Sequence, residues 1–223
     1  MKVYAHYASP KTHPEIKNEY RWRTLLQFGT SWEVIGSIVM KNPGAAHPQD
    51  KEKRPIEDGE TLCHLHLFCS DYPWYEYTDD KTIRHVENLF RAYYETQLGN
   101  PNLNGVIQIF NLINLCETNA GKARKKFKEE MLPFSKTVDK DITQLIAPVY
   151  LGFGDWRYKS FFRKDGEKFF HIVYNEMDGK YLHADYNANS FIHPQSMMEY
   201  RKNSPDSKYI LHAFCQNTEH PSY

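Results

Sequence analysis

The sequence predicts an α/β fold, a three-layer sandwich with a mostly parallel central sheet. Two observations predict the layering. Short apolar runs alternate with helix-patterned segments along most of the chain, the order of a parallel sheet with helices on its faces. The linking turns are rich in Pro, Gly, Asn and Asp. A third observation concerns size: 223 residues with 40% hydrophobic and 15% aromatic content suffice for one sizeable core and argue against disorder.

Residues 1–31 read as an irregular or partly helical N-terminal lead-in packed on a single α/β domain spanning 1–223. Tyr20, Trp22, Leu25, Leu26 and Phe28 are its anchors. Residues 33–41 read as a buried strand that ends in a Pro-Gly turn. The stretch 41–60, rich in Pro, Gly and charge, reads as a long loop of the kind that is often functional. Residues 61–69 alternate loosely and read as a second strand or an ordered loop edge. Asp79 or Asp80 then supplies a helix cap. Ile83, Val86, Phe90, Tyr93 and Tyr94 recur at helical spacing until Gly99-Asn100-Pro101.

Gly105 to Phe110 is a strand ending at Asn111. Residues 119–131 and 137–146 carry helical patterns, and 147–153 is another apolar strand. Lys168 to Glu176 and Lys180 to Tyr186 flank Met177-Asp178-Gly179, a hairpin signal. Pro194 to Arg201 opens a helix, and Lys208 to Phe214 is a last strand.

Lys plus Arg equals Asp plus Glu at 28 each, so a formal charge of zero gives no global support for nucleic-acid or membrane binding. Residues 1–7 contain no apolar leader core, and no run of about 18 apolar residues exists to span a membrane. Cys63, Cys69, Cys116 and Cys215 have no C-x-x-C spacing, which reads as reduced thiols in a cytoplasmic protein. A monomer is expected. His64-x-His66 on one strand face lacks an evident third ligand, so no metal site is expected.

Two loops stand out, Asn42-Pro43-Gly44 and His193-Pro194-Gln195-Ser196. Each follows a strand-like segment, and ligands of open α/β sheets sit outside the carboxyl ends of strands. Met40-Lys41-Asn42-Pro43-Gly44, the strand 109–115 with Asn111, and His193-Pro194-Gln195-Ser196-Met197 together resemble the uracil-DNA glycosylase superfamily, closest to its mismatch-specific branch. The segment around Asn42, Asp79 to Arg84 and Asn111 also resembles an uncharacterised bacterial domain family. The likeness spans roughly residues 32–215.

The resemblance implies a uracil-DNA glycosylase-like fold that hydrolyses an N-glycosidic bond, releasing a damaged or deaminated base from DNA without a cofactor. In that reading Asn42 holds the water, His193 stabilises the leaving base, and Pro43, Gly44, Asn111 and Ser196 bind the substrate. Met198 wedges the duplex while Arg201 and Lys202 meet phosphates. An Asn amide offers a donor and an acceptor, and a neutral His can donate to a developing oxyanion. Phe68 and Trp74 are candidates to stack on the base. Gln195 departs from the small residue of the pattern, and no Tyr follows Pro43. The cysteine spacing does not match that of the iron–sulfur branches.

Plainer readings stand beside these. Asn42-Pro43-Gly44 also suits a simple strand-ending turn, and Asn111 a local cap. Met197-Met198 suits a helix core. The run Lys122, Arg124, Lys125, Lys126, Lys128 suits either a solvated helix face or phosphate contacts. Two rival functions remain open: a non-catalytic nucleic-acid or nucleotide-binding module, and an N-glycosidase acting on free nucleotides.

Overall fold

The computed structural model describes residues 1–43, 46–50, 52, 54–57, 59–117, 119–130, 132–136 and 139–153, and beyond these only 166–167, 170–171 and 181–182. Its centre is a mixed seven-stranded sheet. In chain order the strands are β1 Lys2–Ala8, β2 Tyr20–Phe28, β3 Val34–Met40, β4 Trp74–Tyr77, β5 Gly105–Asn111, β6 Val149–Gly152 and the two-residue β7 Tyr181–Leu182. In space they run β4-β1-β2-β5-β3-β6-β7. β5, β3, β6 and β7 are mutually parallel, so 33–41, 105–111 and 147–153 share one parallel block. β4, β1, β2 and β5 pair antiparallel. The expectation of a mostly parallel sheet therefore describes one half of it.

Residues 1–31 are where the reading departs most. They hold two strands, and β2 lies between β1 and β5 rather than outside the sheet. Tyr20-Arg21-Trp22-Arg23-Thr24 is the pattern of a strand, with aromatic and branched residues alternating with arginines. Arginines normally mark an exposed face, yet Arg21 and Arg23 are both buried.

Four helices are described: α1 Glu60–Phe68, α2 Lys81–Leu98, α3 Ala120–Glu129 and the short α4 Asp139–Ile142. The segment 61–69, read as strand or loop edge, is α1. Its alternation is weak, and Leu62 and Leu65 at i, i+3 bring one side onto the sheet. As a helix it also separates His64 from His66, since residues two apart point about 200° apart. The ring of His64 instead stacks on Trp32, 4.9 Å away.

α2 starts as expected. Asp80 accepts a hydrogen bond from the Ile83 amide at 2.8 Å. The helix ends at Gly99, a left-handed cap with φ 66°. Ile83, Val86, Leu89 and Phe90 pack with Val3, Ala5, Leu26, Ile38 and Ile107 on one sheet face. The opposite face meets α1 through Leu65. It meets α3 and α4 through Ala123, Phe127 and Ile142. Helices thus cover both faces.

Part of the stretch 41–60 runs beside β4. Gln49 N–H donates to Glu76 O (2.8 Å), Thr78 N–H to His47 O (3.0 Å) and Ile56 N–H to Trp74 O (2.7 Å). Pro48 forms an isolated bridge opposite Tyr77. Among the described residues no helix is long and apolar enough to cross a membrane.

Candidate functional site

Parallel pairing sets Met40 of β3 beside Asn111 of β5. The pairing continues past the strands, with Leu112 N–H donating to Met40 O and Ile113 N–H to Lys41 O. Asn42, Pro43 and Asn111 consequently lie at the same carboxyl edge of the sheet. Gly44, His193, Ser196, Met198, Arg201 and Lys202 lie outside the described residues.

The loop after β3 is fastened from three sides. The Asn42 amide nitrogen donates to Glu117 O at 2.6 Å and to Pro43 O at 3.1 Å. The Asp80 carboxylate that caps α2 also accepts from Ala46 N–H at 3.1 Å. From below, buried Arg21 donates to Ala46 O at 3.2 Å. Asp79 instead faces outward, bound by Arg84. Glu117 is held in turn, because Lys126 donates to its carboxylate at 2.8 Å and lowers its pKa.

This geometry limits the chemistry of Asn42. Its donor is committed to backbone carbonyls, so Oδ1 is what it can offer to a water. Asn111 is only 1% exposed. Of the aromatic candidates, Trp74 is fully buried and donates to Cys69 O at 2.9 Å, which makes it a core residue unable to stack on a base. Phe68 does line a cleft, described next. In α3, Ala123 and Phe127 face the core while Lys122, Arg124, Lys125 and Lys128 are exposed.

A cleft of about 390 Å³ opens on the α1 and α4 face of the sheet, near the same edge. It arises from an irregularity in β2. Tyr4 pairs with Leu25 but His6 pairs with Trp22, so Arg23 and Thr24 together oppose Ala5. Arg23 sits at φ 51°, strained for a residue with a side chain. Such a bulge breaks alternation and re-aims side chains. Here it lets the consecutive residues Trp22 and Arg23 line the same cleft.

Arg23 is 7% exposed. Its guanidinium donates to Phe68 O at 3.2 Å and to the Gln144 side chain. It lies 3.6 Å from Asp141 and over the Phe110 ring. Burial lowers its pKa, and Asp141 pulls it back up.

His6 is completely buried. Its Nδ1 is 3.0 Å from Pro73 O. A carbonyl only accepts, so Nδ1 carries the proton and Nε2 keeps a lone pair. Burial pushes the His6 pKa down to about 4. Arg23 adds to the effect, while the Pro73 hydrogen bond and Asp71 oppose it.

Asn114 donates to Phe134 O at 2.9 Å. Phe134 stacks on Trp22 at 4.6 Å and 7°, and Tyr72 meets Trp22 edge-on at 5.1 Å. Apart from Phe68, a stacking candidate, and His66, of the His64-x-His66 pair, the sequence singles out none of the cleft residues for chemistry. The aromatic–arginine alternation at 20–24 was the available signal.

No family model, no curated protein and no solved structure matches the chain. The fold and the two features at its edge define an α/β protein with a mixed sheet, a strand-end loop and an adjoining aromatic cleft. Among the described residues no group of three or more His, Cys, Asp or Glu could hold a metal ion.

Proposed function

We propose that this protein hydrolyses an N-glycosidic bond, releasing a damaged or deaminated base from DNA in the cytoplasm. The supporting observation is the juxtaposition of Asn42 and Asn111 at the carboxyl ends of adjacent parallel strands. Hydrolysis needs a water held in place and charge stabilisation on the departing base. Asn42 is suited to the first task, because its carboxamide is fixed through Glu117 and its Oδ1 can orient a water. Asn111 would read the base edge. His193 would stabilise the leaving base and Ser196 would bind the substrate.

The formal charge of zero favours a second reading, hydrolysis of free nucleotides, since DNA binding draws on phosphate neutralisation. One assay separates the two. Base release is measured on duplex and single-stranded oligonucleotides carrying uracil, hypoxanthine, xanthine or a thymine mismatch, and on the matching free nucleotides. Release from oligonucleotides supports the first reading, and release from nucleotides alone supports the second. No release from any substrate overturns both and leaves a binding module. On an active substrate, Asn42→Ala is expected to slow release by about 10²-fold, the scale of losing one preorganised polar group. Binding of an abasic-site analogue is expected to stay unchanged.

A further inference from the structure

Helix α3 concentrates cations on one side: Lys122, Arg124, Lys125, Lys126 and Lys128. Its core contacts come from Ala123 and Phe127, which are buried. At about 100° per residue, the exposed Lys122, Arg124, Lys125 and Lys128 share an arc of about 160° and cover about 9 Å of helix axis, opposite the buried pair. Of the nearby carboxylates, Glu117 holds Lys126 at 2.8 Å. Glu130 turns inward and accepts from Lys17 N–H at 2.7 Å, the Asn18 amide at 2.8 Å and the Tyr20 hydroxyl at 3.0 Å. Glu129, at the end of the helix, is exposed.

The stability of the helix does not account for this charge. Cations near a helix C-terminus stabilise it, which explains Lys126 and Lys128. Lys122 lies in the first turn, where the helix dipole favours an acidic side chain and α3 has none. Lys125 stands three residues from both Lys122 and Lys128, and Arg124 four from Lys128. Like charges at these spacings repel. The face carries charge that works against the helix and that a polyanion neutralises.

The groups on the face narrow the polyanion. Its apolar residues are buried, so it has nothing to insert into a membrane surface. It lacks the aromatic anchors of a protein interface and the rings on which single strands stack. Between Lys122 and Glu129 no hydroxyl or amide side chain is present to read a ribose 2′-hydroxyl. Cations alone suit a ligand recognised by phosphate charge, with affinity and no sequence preference. A formal charge of zero describes the whole chain, whereas phosphate contact depends on the face that touches. That face begins beside the strand-end edge. Asn42 donates to Glu117 O at 2.6 Å, and Asn119, two residues on, caps α3 by accepting from Lys122 N–H at 3.0 Å.

We propose that the exposed face of α3 docks on the phosphate backbone of double-stranded DNA through Lys122, Arg124, Lys125 and Lys128. Docking of this kind reads no bases and stands whether or not the protein releases them.

The test is fluorescence anisotropy of a labelled, undamaged DNA duplex titrated with the intact chain at several salt concentrations. Four phosphate contacts are expected to give a log–log slope of association constant against salt of about −3.6. Lys122→Gln combined with Lys125→Gln is expected to reduce that slope by about 1.8 and to weaken binding equally on unrelated sequences. The melting temperature of the free double variant is expected to hold or rise, because like-charge contacts are relieved. Single-stranded DNA, polyglutamate and vesicles containing phosphatidylserine are each expected to bind more weakly than the duplex. Absence of duplex binding at low salt, an unchanged slope in the double variant, or any competitor bound as tightly as the duplex overturns the proposal. So does a lowered melting temperature, which would assign the two lysines to the fold. Because the DNA is undamaged, none of these results depends on base release.

Discussion

A neutral imidazole at the floor of the cleft ties this protein's stability to pH. The His6 pKa, near 4 in the folded state, lies below its usual 6.5. As pH falls through 6.5 the unfolded chain takes up a proton that the folded chain refuses. The stability His6 provides is complete above that pH, declines toward 4 and is then lost. Each pH unit in this window costs about 1.4 kcal/mol. Urea denaturation at pH 7 and pH 5 is expected to differ by about 2 kcal/mol from this group. In His6→Phe that part of the pH dependence should vanish. An unchanged slope would show that the ring is protonated in place. The residues at this scale differ in how plainly they are written in the sequence. Asn42 can be found from Asn-Pro-Gly closing an apolar run, because turn chemistry is local. Asp80 is legible for the same reason. His6 and Arg23 are not, because a lone His and a lone Arg acquire meaning only from strands β1 and β2 and the bulge between them.

At the scale of elements, α2 and β3 meet at a glycine. A Cβ built on Gly36 would collide with the Phe90 ring and approach Pro148 O at 3.1 Å. Gly36→Ala is therefore expected to destabilise by about 1–3 kcal/mol, as overpacking does. Adding Phe90→Leu makes room, so the double variant should cost less than the sum of the two single ones. Additive costs in chemical denaturation would mean that the two sites do not touch. α2 itself was readable from end to end: a capping Asp, a helical apolar period and a terminal glycine are all local signals. α1 was not, since nine residues with two leucines at helical spacing also pass for a loosely alternating strand. Its helicity depends on packing against Tyr4, Leu25 and Val106.

At the scale of the whole molecule, β2 joins β1 to β5, the strand at which the antiparallel half of the sheet meets the parallel half. It pairs with β1 from Lys2–Gln27 to Ala8–Tyr20 and with β5 from Thr24–Ile109 to Phe28–Gly105. Residues 1–31 are thus not a removable extension. A chain starting at residue 32 is expected to lose its cooperative thermal transition and aggregate, whereas an appended segment would leave the transition in place. The parallel block was legible because its strands are apolar on both sides, as doubly covered strands are. The antiparallel half was hidden by His6, Arg21 and Arg23, placed within β1 and β2, whose burial follows from long-range pairing. The backbone of residues 47–49 and of Ile56 has a further consequence where it lies against β4. β4 would otherwise end the sheet with a free row of amides and carbonyls, a template on which another chain could add a strand. The hydrogen bonds from Gln49 and Ile56, with Pro48 opposite Tyr77, occupy that row. The segment acts as a guard that stops the sheet from growing between molecules on this side.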